Sequence, residues 1–311
     1  MDRFEDMRCF VQVAESQSVT GAASRLNLAP SAVSRRLRDL EARLGAQLLS
    51  RTTRRMSLTE AGEVFYRRAA QILRDLDEAE GEITDATHAL RGPLRIAAPL
   101  SFGLAHLAPV VTDFMAGHPE ITVDLDLSDR QVDLVGEGID IAVRIGRLAD
   151  SSLVARKLAD MRMVVCAAPA FLRRHGPPRA PEDLAAMPGL IYAGSERGDI
   201  WRFRAPDGRE GSVQVPVRLR ANNGEMVREA AIAGLGVAIE PSFIVHAALE
   251  RGELVPVLAD HDWPGVAIHV VYPETRHLSA RARAFMQALR AAIARRPDWE
   301  AAIDRARVQP S

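Results

Sequence analysis

A long heptad pattern in the first third of the chain most constrains what this protein can fold into. Apolar residues recur there at alternating spacings of four and three, and they are Phe65, Ala69, Ile72, Leu76, Ala79, Ile83, Ala86 and Leu90. A repeat of this kind predicts one helix over about 60–89, roughly 45 Å long. Because so long a helix with a single apolar stripe is not stable alone in water, it must pack against another element.

Two partners for this stripe are open, which are the rest of the same chain and the same helix of a second chain. The sequence RGP at 91–93 interrupts the helix before the next segment begins, and this favours a second chain. Small alanines in the stripe permit close approach of two helices. We therefore predict that 59–91 is a dimerising linker helix, with Thr59 as its N-cap.

Charge is distributed unevenly along a chain that is almost neutral overall. The 311 residues carry 40 basic and 41 acidic side chains, a net charge of −1. Residues 20–58, however, hold eight arginines against only Asp39 and Glu41, a local net charge of +6. A uniformly basic nucleic-acid binder is thereby excluded, and a basic module on an acidic body is indicated.

The first 58 residues have the pattern of three short helices followed by a wing. Ser18 suits the N-cap of the second helix, while the third begins at Pro30 and ends at Gly45. The third helix has one apolar stripe, formed by Val33, Leu37, Leu40 and Leu44. A three-residue turn at 27–29 joins the second and third helices, which predicts a helix-turn-helix whose third helix enters the DNA major groove. Residues 50–58 suit a short β-ribbon wing that lies along the phosphates.

Beyond residue 92 strands alternate with helices up to residue 296. This rhythm predicts parallel sheets in two α/β lobes. Because the strand at 266–272 is expected to return to the first lobe, lobe one takes about 92–163 and 266–296, and lobe two about 164–265. Residues 297–311 are expected to form a loose tail.

The segment AASRLNLAPSAVSRRLRDLEARLGAQLLSRTTRRMSLTEAG at 22–62 resembles the winged helix-turn-helix of LysR-type transcriptional regulators. The heptad helix resembles the linker helix of that family, and 92–296 resembles its effector domain. The resemblance implies an α+β multidomain protein with an N-terminal winged helix-turn-helix at 1–58, a long linker helix, and a C-terminal two-lobed α/β effector domain like a periplasmic binding protein.

The same resemblance implies the partners of the protein. They are double-stranded DNA with an interrupted palindrome, and further copies of the chain in a homodimer that assembles to a homotetramer. A small-molecule effector is expected between the two lobes, with no cofactor and no metal. RNA polymerase is a further candidate partner.

Polar residues lie opposite the apolar stripe of the third helix, and the resemblance assigns them to DNA. Base-edge contacts are expected from Pro30, Ser31, Ser34 and Arg35, of which the arginine suits two hydrogen bonds to a guanine. Phosphate contacts are expected from the neighbouring arginines of the helix and from those of the wing, namely Arg36, Arg38, Arg51, Arg54 and Arg55.

Ligands of open α/β sheets bind beyond the carboxyl ends of the strands. The residues expected there are Leu100, Ser101, Phe102, Ser128, Arg144, Trp201, Asn222, Asn223, Glu240 and Pro241. Ser101 opens a predicted helix, so that its hydroxyl and the free N–H groups suit an anion, and the alternative is a plain N-cap. A small carboxylate or a polar aromatic compound is the expected effector.

Several of these residues have structural alternatives. Arg144 is equally suited to an ion pair with one of three nearby acids, which are Asp126, Asp129 and Asp140. Trp201 either walls the cleft or covers a sheet, and the two asparagines either contact a ligand or only end a strand.

Other classes of protein find little support. The sequence lacks HExxH, GxSxG and P-loop motifs, and its two cysteines, Cys9 and Cys166, read as buried thiols, which argues against an enzyme. A transported-solute receptor needs a signal peptide, whereas the N-terminus is charged and no apolar run approaches a membrane span. An architectural DNA protein leaves 92–296 unexplained. We therefore predict a cytoplasmic regulator that does not contact a membrane.

Overall fold

A computed structural model describes residues 2–51, 56–84, 90–130, 132–146, 153–194, 198–274, 278–294, 299–301 and 303–304. The chain divides into an N-terminal unit, Met1–Ala89 with Asp133–Gly138, and a larger C-terminal unit, Leu90–Val132 with Ile139–Ser311. The elements of the first unit are α1 (Arg3–Ser16), α2 (Val19–Leu26), α3 (Pro30–Leu44), β1 (Leu49–Arg51), β2 (Met56–Leu58) and α4 (Glu60–Thr84).

The starts of these helices follow the capping pattern of the sequence. The side chain of Asp2 accepts hydrogen bonds from the first turn of α1, and Ser18 accepts one from the backbone N–H of Gly21 in α2. Thr59 Oγ1 accepts from the Gly62 N–H at 2.9 Å, which confirms Thr59 as the cap of α4. A Cβ at Gly62 would lie 1.9 Å from the carbonyl oxygen of Leu48, so only glycine permits this close approach.

The predicted apolar stripe of the linker helix is used in two ways. Phe65 lies 5.4 Å from Phe10, and Ala69 is fully buried in the N-terminal core, so these two pack on their own domain. Ile72, by contrast, is 41% exposed. Leu76 is half-buried, and Ala79 and Ile83 lie within the helical backbone.

The end of the stripe differs from the prediction. The helix is described as far as Thr84, and Ala86 falls outside the described residues. Leu90 is wrong as a stripe residue, because it lies outside the helix and packs against the core of the C-terminal unit.

The C-terminal unit contains two five-stranded sheets. Lobe one is built on the strand order β4-β3-β5-β14-β6, and lobe two on β11-β8-β12-β7-β13. The strands are β3 (Gly92–Ala98), β4 (Ile121–Leu127), β5 (Ile141–Gly146), β6 (Leu153–Met161), β7 (Met163–Ala167), β8 (Gly189–Tyr192), β9 (Ile200–Arg204), β10 (Glu210–Gln214), β11 (Val217–Ala221), β12 (Val237–Pro241), β13 (Val255–Pro256) and β14 (Val266–Pro273). The helices are α5 (Leu100–Phe102), α6 (Ala108–Gly117), α7 (Pro169–His175), α8 (Gly224–Ile232), α9 (Ser242–Glu250) and α10 (Ala280–Ala294).

The prediction of parallel sheets is wrong for β14 and β7, which lie where the chain crosses between the two lobes. β3, β4 and β5 are parallel, as are β8, β11 and β12, but β14 runs antiparallel to β5 and β6, and β7 antiparallel to β12. The reason is that the chain passes directly from one sheet into the other at Arg162, between β6 and β7, and returns through β14. As predicted, β14 belongs to the first lobe.

The last described residues correct another expectation. Residues 299–301 and 303–304 are helical, and Trp299 and Ile303 are 6% and 2% exposed in the core of the C-terminal unit. We call these residues the C-terminal turn. This part of the predicted tail is therefore packed rather than loose.

One helical segment of the described chain, Leu100–Gly117, is long and apolar enough by composition alone to cross a membrane. It combines α5, the π-helical Gly103–Leu107 and α6. Phe102, Leu107, Val111 and Phe114 turn one face of it into the protein core. A third of the segment is buried in this way.

Candidate nucleic-acid interface and effector cleft

The third helix presents a polar surface opposite a buried stripe. Val33, Leu37 and Leu40 are buried in the N-terminal core. The opposite face carries Pro30, Ser31, Arg35 and Arg38, all exposed, and Ser34, half-buried. No side chain caps the start of α3, so a phosphate oxygen can approach its first turn.

Arg36 has a structural partner instead of an open position. Its Nη1 lies 3.3 Å from Oδ1 of Asp6, whose side chain is only 3% exposed. The second oxygen of Asp6 is buried without a partner in the described structure. The ion pair with Arg36 therefore stabilises this buried carboxylate. Arg36 therefore ties α3 to α1.

The wing is present as an antiparallel pair of short strands. β1 and β2 pair through Leu49 with Leu58 and Arg51 with Met56. Of Arg51 the backbone is described, whereas Arg54 and Arg55 lie outside the described residues. Glu41 supports the start of β1, since its carboxylate accepts hydrogen bonds from the N–H groups of Leu48 and Leu49.

The carboxyl edges of the two sheets of the C-terminal unit meet through Asn223. Its Nδ2 donates to Oγ of Ser101 at 3.1 Å and lies 3.3 Å from Oδ2 of Asp129. Its Oδ1 accepts from the first N–H groups of α8, so one amide caps a helix of lobe two and contacts lobe one. We call the space between these edges the cleft.

The anion site expected at Ser101 is already occupied by a carboxylate of the protein. α5 begins at Leu100 after Pro99, so Ser101 is not an N-cap. The N–H of Leu100 donates to Oδ1 of Asp129 at 3.2 Å. Because Asp129 satisfies this N–H group, the helix start does not favour a carboxylate ligand.

A buried carboxyl, Glu240, and a tyrosine hydroxyl, Tyr192, lie near Asp129 and Asn223. Glu240 is 1% exposed, and its Oε1 has no hydrogen-bond partner in the described structure. Burial raises the pKa of this carboxyl well above its usual value, which the charge of Arg228 partly offsets. Burial also raises the pKa of Tyr192 to about 12, with smaller contributions from Asp129 and Glu240.

Phe102 and Trp201 are wrong as effector contacts, because both side chains are buried in the core of the C-terminal unit. Phe102 is fully buried in an aromatic cluster with His106 and Phe243. Trp201 is 3% exposed and donates its Nε1–H to the carbonyl of Gly198, so it covers the β9–β10 hairpin.

The remaining predicted contacts are accessible to different degrees. Leu100 and Asn222 are exposed, and Ser128 and Pro241 half-buried, with Ser128 Oγ accepting from the N–H of Arg130. Arg144 donates to the carbonyl of Val132 at 3.1 Å, and burial lowers its pKa. Of its candidate acids, Asp126 pairs with Arg130.

Sequence reasoning missed Tyr192 as a cleft residue and considered Asp129 only as an ion-pair partner. It did name Glu240, the acid at the end of the apolar strand VAIEP. Among the described residues, no group of three or more His, Cys, Asp and Glu side chains is arranged to hold a metal ion.

Comparisons with known proteins agree along most of the chain. Residues 4–63 match the family described as bacterial regulatory helix-turn-helix protein, lysR family, and residues 87–294 match the LysR substrate binding domain. The transcriptional regulator PtxR of Pseudomonas aeruginosa is 40% identical over 288 residues, which cover 93% of this chain and 92% of PtxR.

Solved structures show the same similarity. CrgA, a LysR-type transcriptional regulator from Neisseria meningitidis, is 34% identical with a TM-score of 0.59, over 93% of this chain and 98% of CrgA. AphB, a virulence activator of Vibrio cholerae and member of the LTTR family, is 30% identical with a TM-score of 0.59 over the same shares.

Replacing Glu240 by Gln tests the buried carboxyl. The pKa of this carboxyl is higher in the folded than in the unfolded chain. Above about pH 4.5 the unfolded chain releases the proton first, which lowers the free energy of unfolding. At high pH the loss is about 1.4 kcal/mol for each pKa unit between the two states. We expect Glu240→Gln to raise the unfolding free energy at pH 8 relative to wild type, and to change it least at pH 4, in urea titrations. Glu253→Gln is the control, because hydrogen bonding to Arg251 lowers the pKa of this carboxyl and so gives the opposite pH dependence. An equal effect of Glu240→Gln at both pH values contradicts the raised pKa.

Proposed function

Since this chain belongs to the LysR-type family of transcriptional regulators, and is therefore a DNA-binding protein controlled by an effector and not an enzyme, we propose that α3 reads its operator. The observation that carries this proposal is the exposed polar face of α3, with Ser31 and Arg35 opposite the buried Val33, Leu37 and Leu40. The base contacts are Pro30, Ser31, Ser34 and Arg35. Arg38 and the wing arginines bind phosphate, and Arg36 serves packing. The site of action is the bacterial cytoplasm, where RNA polymerase is a candidate partner.

Separating the two arginines of α3 tests this assignment. Arg35→Ala should weaken binding by about 1–3 kcal/mol and relax preference at one base position. Arg38→Ala should weaken all sequences about equally and reduce the slope of log K against log salt by about 1. Binding is measured by gel shift on the promoter beside the protein's own gene and on its single-base variants. An equal loss of base preference in both variants contradicts the assignment.

The exposed part of the stripe supports a dimer through α4. Phe65 and Ala69 pack within the chain, whereas Ile72 of the same stripe is 41% exposed and open to a second helix. Two such dimers would contact each other through further surfaces to give the tetramer. An oligomer of this symmetry fits two half-sites of an interrupted palindrome.

Replacing Ile72 by Asp should dissociate the dimer. A charge buried without a partner in the seam costs several kcal/mol. Light scattering of the full chain reports the mass, and Arg67→Asp is the control, because it places the same side chain ~140° around the helix. If Ile72→Asp keeps the wild-type mass while Arg67→Asp does so too, α4 is not the dimer seam.

The cleft indicates the chemistry of the effector. Asp129, Tyr192 and Glu240 supply oxygens, while Ser101 and Asn223 supply the contact between lobes. The unpartnered Oε1 of Glu240 favours a ligand that donates a hydrogen bond. This replaces the small carboxylate expected from the sequence. The ligand regulates DNA binding by its different affinity for the two arrangements of the lobes.

A compound panel with matched amines and carboxylates tests this cleft. The amines should change the footprint on the promoter, and Ser101→Ala should abolish that change while leaving basal DNA affinity as in wild type. Thr112→Ala, which removes an exposed hydroxyl of α6, should respond normally. A normal response of Ser101→Ala at the wild-type concentration, or a response to carboxylates alone, contradicts the assignment.

A further inference from the structure

The C-terminal turn places a tryptophan where the two lobes of the C-terminal unit meet. The ring of Trp299 lies 4.4 Å from that of His106 and 6.4 Å from that of Phe102, which belong to the helical segment of lobe one. Phe243 of α9, in lobe two, lies 5.7 Å from Phe102 and 5.8 Å from His106. Trp299 thus completes an aromatic cluster with members from both lobes.

The next residue of the turn binds the passage between the lobes. Arg162 is the single residue that joins β6 to β7. Glu300 accepts hydrogen bonds from the backbone N–H and the Nε–H of Arg162, at 3.1 and 2.5 Å, and its carbonyl accepts from Nη2 at 2.7 Å. Asp304 adds an ion pair at 2.8 Å.

Glu300 also reaches the start of α9. The hydroxyl of Ser242 donates to Oε1 of Glu300 at 2.6 Å, and the N–H of Ser242 donates to the carbonyl of Arg162. The side chain of Glu300 is 13% exposed and that of Arg162 32%, so the pair is partly shielded from water. One carboxylate therefore joins the turn, the crossover and lobe two.

From these contacts we propose that the C-terminal turn is a latch that holds the two lobes at one angle by gripping the Arg162 crossover. A change of lobe angle requires the backbone of the crossovers to rotate, and Glu300 restrains the backbone N–H of Arg162 itself. The turn lies beyond residue 294, where the matched LysR substrate binding domain ends.

The latched arrangement carries a cost that its release would relieve. Nε2 of His106 and Nε1 of Trp299 are both buried without a hydrogen-bond partner in the described structure. Unpaired buried polar atoms destabilise the arrangement that holds them, and a rotated lobe would let water reach them. The contacts of Glu300 therefore hold an arrangement that two unsatisfied nitrogens destabilise, and loss of these contacts would shift the balance toward a rotated arrangement.

Spin labels on the two lobes measure the angle directly, without knowledge of the effector. Asp124 in lobe one and Glu210 in lobe two have exposed side chains and accept the substitutions Asp124→Cys and Glu210→Cys. The native Cys9 and Cys166 are buried and do not compete for the label. Labelled full chain is diluted into unlabelled wild type, so that distances within one chain dominate.

We expect one narrow distance distribution in the labelled wild-type background. Trp299→Ala, Glu300→Gln and a chain that ends at residue 296 should each broaden it and add a second distance. Glu253→Gln, which replaces a carboxylate paired with Arg251 far along the chain from the turn, should leave the distribution unchanged. An unchanged narrow distribution in folded Glu300→Gln and in the shortened chain overturns the latch. Loss of folding in all three variants also overturns it, because the turn is then part of the core. The result does not depend on whether the cleft binds an effector.

Discussion

The contact of one amide across the cleft organises the C-terminal unit. Asn223 caps α8 with its oxygen and donates its nitrogen to Ser101 and Asp129, so the position of a helix in lobe two depends on side chains of lobe one. The same Asp129 satisfies the start of α5. A molecule that displaces this amide would disturb both helix starts at once, which gives a small ligand a means to change the larger structure.

Charge separates the two functions of the chain. The DNA-binding segment concentrates arginine on α3 and in the wing, while the cleft contains Asp129 and the buried Glu240. Most of the other arginines for which the structure gives contacts are paired with acids, as Arg204 is with Glu210 and Arg251 with Glu253. Abundant arginine is therefore no evidence for nucleic-acid binding by itself, and its position opposite a buried stripe is what carries the assignment of α3.

The C-terminal unit is held together at the chain crossovers as well as in the cleft. Arg162 receives contacts from Glu300 and Asp304, and Trp299 packs against His106. Burial lowers the pKa of His106 to about 4, with a smaller effect of His246, so this imidazole is neutral at physiological pH and packs as an aromatic ring. The cleft and the crossover are thus two separate restraints on one motion.

Local patterns in the sequence determined the helices of the DNA-binding domain, their caps and the two-lobed α/β architecture, because caps, turns and apolar periodicity act over a few residues. Only the tertiary structure decided which stripe residues of α4 face their own domain, that Phe102 and Trp201 are core, and that Arg36 pairs with Asp6. It also decided that Asp129 occupies the helix start expected to bind an anion, and that the end of the chain packs on Arg162. These contacts join residues that are about 30 to nearly 140 positions apart. No local rule specifies such pairs, because their energy arises only when the fold brings the partners together and removes them from water.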